Sequence, residues 1–165
     1  MLLVAGNGKV AFATSVVSYF TMFASLGLPT YGVRACAKVR DDKEKLSQTV
    51  QELLIISGIT TAITYIVFFV SLFVIPEFAA ERKLLMVTAL SIGLTSIGVQ
   101  WLYNALEQYS YITTCALVFK VIGMALMFVL IRKPEDYVLY GFVYVVGSFG
   151  SYVMNFLRTA QICFI

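Results

Sequence analysis

Five stretches of this sequence run for about 20 residues or more with at most one charged side chain. They cover residues 10–33, 53–76, 84–106, 109–131 and 137–157. About 20 apolar residues in an α-helix span the ~30 Å hydrocarbon core of a bilayer. Spanning strands would be about half as long and would alternate apolar with polar positions, which these stretches do not. The pattern predicts an all-α integral membrane chain of about five transmembrane helices, with residues 1–165 forming one domain and no soluble domain.

Composition agrees. Hydrophobic residues make up 60 % of the chain and charged residues 13 %, against roughly 45–50 % and ~25 % in soluble domains. The net charge of +3 is too small to suggest nucleic acid, and the basic residues sit between the apolar runs. There they act as topology signals. The first charge, Lys9, follows an apolar start, so no cleavable signal peptide is expected.

The segment of residues 34–52 carries Arg34, Lys38, Arg40, Lys43 and Lys45, and is expected to face the cytoplasm. Alternation then puts residues 77–83 and 132–136 outside, and Glu107 and Arg158 inside. Asp41-Asp42 ahead of Lys43-Glu44-Lys45-Leu46 suits a helix start, with acids at its positive end. A solvated linker touching anionic lipid is the alternative.

Chemistry is narrowed by absence. There is no histidine, which excludes Ser-His-Asp and Cys-His catalysis and HExxH zinc sites. Cys36, Cys115 and Cys163 form no C-x-x-C pair and read as apolar fillers, with no metal or cofactor expected.

Within the helices, hydroxyls recur on one face. Thr14, Ser18, Thr21 and Ser25 do so in the first, and Ser57, Thr61, Thr64 and Ser71 in the second. Gln100, Asn104 and Glu107 line one side near the inner end of the third. Tyr140, Tyr144, Gly147, Ser151 and Asn155 form a stripe in the fifth. Such faces serve close helix packing or a hydrated cavity for a polar substrate. Gly147-x-x-x-Ser151 is a packing pattern.

Lys120 lies about eight residues into the fourth helix, beside Thr113, Ala116, Gly123 and Met127. An ammonium there costs ~2.5–3.5 kcal/mol on insertion scales. It either snorkels to the interface or meets an anionic substrate or carboxylate inside the bundle. Pro29 is expected to kink or loosen the first helix near its inner end, and is a hinge candidate.

Leu26-Gly-Leu-Pro-Thr-Tyr-Gly-Val-Arg34, then Ala37-Lys-Val-Arg-Asp-Asp-Lys-Glu-Lys-Leu46, resembles the Wzx-type polysaccharide flippases. So do Gln100-Trp-Leu-Tyr-Asn-Ala-Leu-Glu-Gln-Tyr-Ser-Tyr-Ile112, Phe119-Lys120 and Arg132-Lys-Pro-Glu-Asp-Tyr137. Those flippases belong with the MATE-like transporters. The resemblance implies a carrier, not an enzyme, in the bacterial cytoplasmic membrane. It would move an undecaprenyl-pyrophosphate-linked sugar repeat unit to the outer leaflet. It makes Lys120 and Arg34 candidates to meet pyrophosphate or sugar, and Gln100, Asn104 and Glu107 candidates for the cavity side or inner gate. The family runs to about twelve to fourteen helices. The likeness therefore implies a truncated chain, part of one lobe and inactive without a complementary lobe. A non-catalytic membrane subunit or scaffold is the second reading. An interfacial sugar-phosphate transferase is a third, weakened because lysines dilute Asp41-Asp42.

Overall fold

The computed structural model describes residues 4–131 and 137–163. It is 90 % helical, with no strand among the described residues. The helices are α1 (Val4–Ser25), α2 (Leu28–Lys38), α3 (Lys43–Val74), α4 (Pro76–Ala80), α5 (Arg82–Ile97), α6 (Gln100–Ala105), α7 (Tyr109–Leu130) and α8 (Tyr137–Cys163). They combine into five helical stretches long and apolar enough to cross a membrane, α1–α2 and α5–α6 each counting as one. The expected 132–136 turn, with Arg132 and Lys133, lies outside the described residues.

Helix ends depart from the charge boundaries for physical reasons. The expected long segment 34–52 shrinks to residues 39–42 between α2 and α3. Lys, Glu and Gln are good helix formers, so α3 starts at Lys43, ahead of the expected Leu53. Asp42 caps it, accepting from the Lys45 amide at 3.2 Å, while the Lys45 ammonium lies 2.9 Å from the carboxylate. Both contacts hold the Asp42 carboxyl below its ordinary range. At the far end α3 stops at Val74, before the expected Pro76. Ile75 is extended, as a residue before proline must be, and Pro76 opens α4.

Two spans are broken. The first breaks at Leu26 (φ 39°) and Gly27 (φ 73°), just ahead of Pro29 in the first turn of α2. The third breaks at Gly98 and Val99 (φ 26°). The lower pieces pack on each other. A Cβ at Gly32 of α2 would lie 2.8 Å from the Trp101 ring of α6.

The breaks divide the core. One cluster joins α1, the later part of α3 and α5 through Val10, Val17, Phe68, Leu72, Leu85 and Ile92. The second joins α2, the first turns of α3 and α6 through Cys36, Val50, Leu53, Trp101, Leu102 and Tyr103. The half-buried Cys115 meets Tyr111, which packs against the second cluster. The end of the bundle with Arg34–Lys45, Glu107 and Arg158 is its basic end. The opposite end is tied by the Lys9–Glu81 ion pair.

Interhelical hydrogen bonds account for Ser57 of the expected α3 stripe and for Thr60 and Tyr65 outside it. Thr64 and Ser71 donate within α3, and the buried Thr61 hydroxyl has no partner among the described residues. Ser57 pairs with Ser96 at 2.8 Å, and Thr60 donates to the Ala24 carbonyl at 2.7 Å. Tyr65 donates to the Ala89 carbonyl at 2.9 Å and accepts from the Gly93 amide at 3.1 Å. These are packing bonds of the kind membrane helices use. The outward faces are apolar, with Ile59, Ile63, Ile66 and Phe73 on α3 and Val121 and Phe128 on α7 exposed. A soluble protein rarely exposes such a surface.

Candidate functional site

α7 is the outlying helix. Among its residues only Gly123 is buried, and it packs chiefly on α8. The two cross at Gly123 and Gly147, where a Cβ on Gly123 would stand 2.7 Å from the Gly147 Cα. Beside this crossing lies a groove of about 190 Å³ lined by Lys120, Tyr140, Tyr144, Gly147 and Ser148, among others.

Lys120 is exposed in that groove. α7 begins at Tyr109, so Lys120 sits roughly 16 Å along it, further in than the expected depth of about eight residues. It is near the middle of the 22-residue helix. A four-carbon stem does not reach either interface from there. The groove it shares is lined by Met124, Met127 and Val143 as well as by Tyr140, Tyr144 and Ser148.

Tyr144 also lines a second cavity, of about 130 Å³, between α1, α5 and α8. Thr14, Ser18 and Thr21 of α1 meet Thr88 and Ser91 of α5 there. Each hydroxyl donates back to its own helix. Thr14 donates to Val10, Ser18 to Thr14, Thr21 to Val17, Thr88 to Leu84 and Ser91 to Thr88. Their hydrogens are thus engaged, and oxygen lone pairs remain for a ligand that donates. No charged residue lines this cavity. Tyr144 stands in the wall of both groove and cavity, with Lys120 on one side of it and the neutral acceptors on the other.

Thr14, Ser18 and Thr21 of the α1 stripe thus face this cavity, whereas in the α3 stripe Ser57 bonds to α5 and Thr64 lines an apolar groove with Phe20 and Ile63. Thr88 and Ser91 are the partners that sequence reasoning missed. Their i, i+3 spacing marks a face, but nothing in one helix reveals which neighbour that face meets.

The other expected residues fall elsewhere. Arg34 is exposed on α2 and lines neither cavity. Gln100 and Asn104 are half-buried on α6 and line neither cavity. Glu107 does not continue their face, because α6 ends at Ala105 and Glu107 takes a φ of 58°. Its carboxylate meets the Arg40 guanidinium at 3.2 Å. Pro29 lines a small cavity at the α1–α2 break, which shares Thr21 with the second cavity.

A family model described as polysaccharide biosynthesis protein matches residues 1–159. No curated protein and no solved structure matches the chain.

Proposed function

We propose that this chain, which belongs to the polysaccharide biosynthesis protein family, forms part of one lobe of a carrier for lipid-linked oligosaccharide. Its five helical stretches long and apolar enough to span suit a multi-pass membrane protein. In this reading the membrane is the bacterial plasma membrane, with the basic end in the cytoplasm by the positive-inside rule. The substrate is an undecaprenyl-pyrophosphate-linked sugar unit, carried to the outer leaflet by alternating access. That is the transport of the MATE-like, Wzx-type flippases that the sequence resembles.

The observation that carries the reading is Lys120 at mid-helix in a groove whose wall residue Tyr144 also lines a cavity of hydroxyl acceptors. A lone ammonium suits the pyrophosphate, and neutral acceptors suit sugar hydroxyls. The groove opens on the surface of this bundle, so a complementary lobe would be needed to enclose the substrate. Rocking of two such halves is how many secondary transporters alternate. Gln100, Asn104 and Glu107 would act at the inner gate, Arg34 at the cytoplasmic approach, and Pro29 beside a hinge.

Binding of an undecaprenyl-pyrophosphate-linked sugar to the full chain in nanodiscs tests this by native mass spectrometry. Wild type binds, Lys120→Leu weakens binding at least about tenfold, and Lys120→Arg restores most of it. Undiminished binding by Lys120→Leu refutes the reading.

A further inference from the structure

The basic end of α8 carries a polar cluster that the carrier path does not use. Asn155 is 0 % exposed, and neither its side-chain nitrogen nor its side-chain oxygen has a hydrogen-bond partner. Buried amides are nearly always bonded, so an unbonded one calls for an explanation. One turn on, at i+3 and so on the same face, Arg158 is half-buried. Its guanidinium lies 3.9 Å from the Tyr111 ring centroid and 6.0 Å from that of Tyr103. Among the described residues no carboxylate pairs with it, and Glu107 is engaged by Arg40.

Tyr103 closes this cluster. Its hydroxyl donates to the Asn155 backbone carbonyl at 2.8 Å and lies 3.1 Å from the Thr159 hydroxyl. Tyr103 belongs to α6, a six-residue helix between Val99 (φ 26°) and Glu107 (φ 58°). Positive φ at a β-branched valine is strained, and such strain gathers where a segment moves or binds. α6 is thus a short rigid piece, with a strained joint at each end, lying over an unsatisfied amide and an acid-free guanidinium.

We propose that Arg158 and the Asn155 amide form a phosphate-type oxyanion subsite, closed in this structure by α6 as a lid. The planar guanidinium fork matches phosphate oxygens two at a time. The Asn155 N–H₂ supplies further donors, and among the described residues no carboxylate pairs with Arg158. The lid must swing off Asn155 for the ligand to enter. The inference goes beyond the carrier reading and stands without it, because its residues are not those of the Lys120 path.

Trp101, the single tryptophan of the chain, sits on the lid against Gly32 and reports its movement. The full chain in phosphatidylcholine nanodiscs is titrated with inorganic pyrophosphate at fixed ionic strength. A saturable change in Trp101 emission is expected. Arg158→Gln and Asn155→Leu should each raise the half-saturating concentration at least about tenfold. Arg158→Lys should weaken it less, and Lys43→Gln on the exposed basic turn should leave it unchanged. In discs containing phosphatidylglycerol, an emission shift without pyrophosphate that Arg158→Gln abolishes assigns the subsite to a lipid headgroup. Asn155→Leu should fold at least as stably as wild type, since it removes an unbonded buried amide. If it does not fold, the two Arg158 variants decide. The proposal is overturned if neither arm gives a saturable response, if Arg158→Gln responds like wild type, or if sodium chloride alone reproduces the change. Lipid-linked sugar binding at Lys120 can fail while this titration succeeds, and the reverse, so the two readings are separable.

Discussion

The Gly123–Gly147 crossing fixes the groove that holds Lys120, and Gly123→Ala tests it. A Cβ at Gly123 would stand 2.7 Å from the Gly147 Cα, against 3.4–4 Å for ordinary contact. Both atoms belong to backbones, so no side chain can rotate away. The helices must part by roughly 1 Å, a shift that overpacking data price at about 1–3 kcal/mol. The methyl returns about 0.5–1 kcal/mol through better helix propensity. The net expectation is a loss of roughly 1–2 kcal/mol. Gly58 of α3 is the control, because a Cβ there meets nothing within 4 Å. Gly58→Ala should gain about 0.5–1 kcal/mol from propensity alone. Reversible unfolding in mixed micelles, followed by circular dichroism, reads both variants. The two should move in opposite directions, separated by about 2 kcal/mol, which is more than a tenfold change in the folding equilibrium. Equal stabilisation by both alanines would refute the close crossing, and with it the stated shape of the Lys120 groove.

Three further outcomes are expected. Glu107→Gln removes an ion pair whose side chains are 49 % and 70 % exposed, so it should cost under about 1 kcal/mol, an effect that fades with salt. A loss several times larger, in the same micelle assay, would contradict the exposed geometry. Because Asp42 has its folded-state value lowered by Lys45, its contribution is present above the ordinary carboxyl range. It is lost as the pH falls through the lowered value. The NMR resonance of the Lys45 amide should therefore titrate with an inflection below the usual carboxylate range, and Asp42→Ala should abolish the step; an inflection at or above that range would contradict the cap. Reporters fused at Arg40 and Lys133 should fall on opposite sides of the membrane, and finding both on one side breaks the five-span topology.

What the sequence made legible, and what it hid, follows from what each signal measures. Charges flanking apolar runs locate the hydrocarbon boundary, and hydrogen bonding rather than polarity decides where a helix stops. That is why α3 extends back to Lys43 and α8 runs on to Cys163. The acids before Lys43 were readable because a cap is a local interaction. Pro29 signalled the first break, and the turn itself falls on Leu26 and Gly27. The break at Val99 carried no such signal. Valine is no helix breaker, and the turn is held by tertiary crowding, since a Cβ at Gly98 would lie 2.6 Å from the Tyr152 ring. A second break, after Ala105, explains why the expected Gln100–Asn104–Glu107 face does not survive. Periodicity assumes an unbroken helix, and Glu107 lies past a second positive φ, turned to Arg40. The α1 hydroxyl stripe was visible for the converse reason, because α1 is continuous over Thr14–Thr21. Its meeting with Thr88 and Ser91 was not, because a stripe gives a direction and never a neighbour. The same logic bears on the α6 lid. A segment whose two ends are set by contacts with α8 and Arg40, rather than by its own residues, can change position without rewriting its internal hydrogen bonds. Its short length and its strained joints therefore belong to one property, a piece of helix held in place from outside.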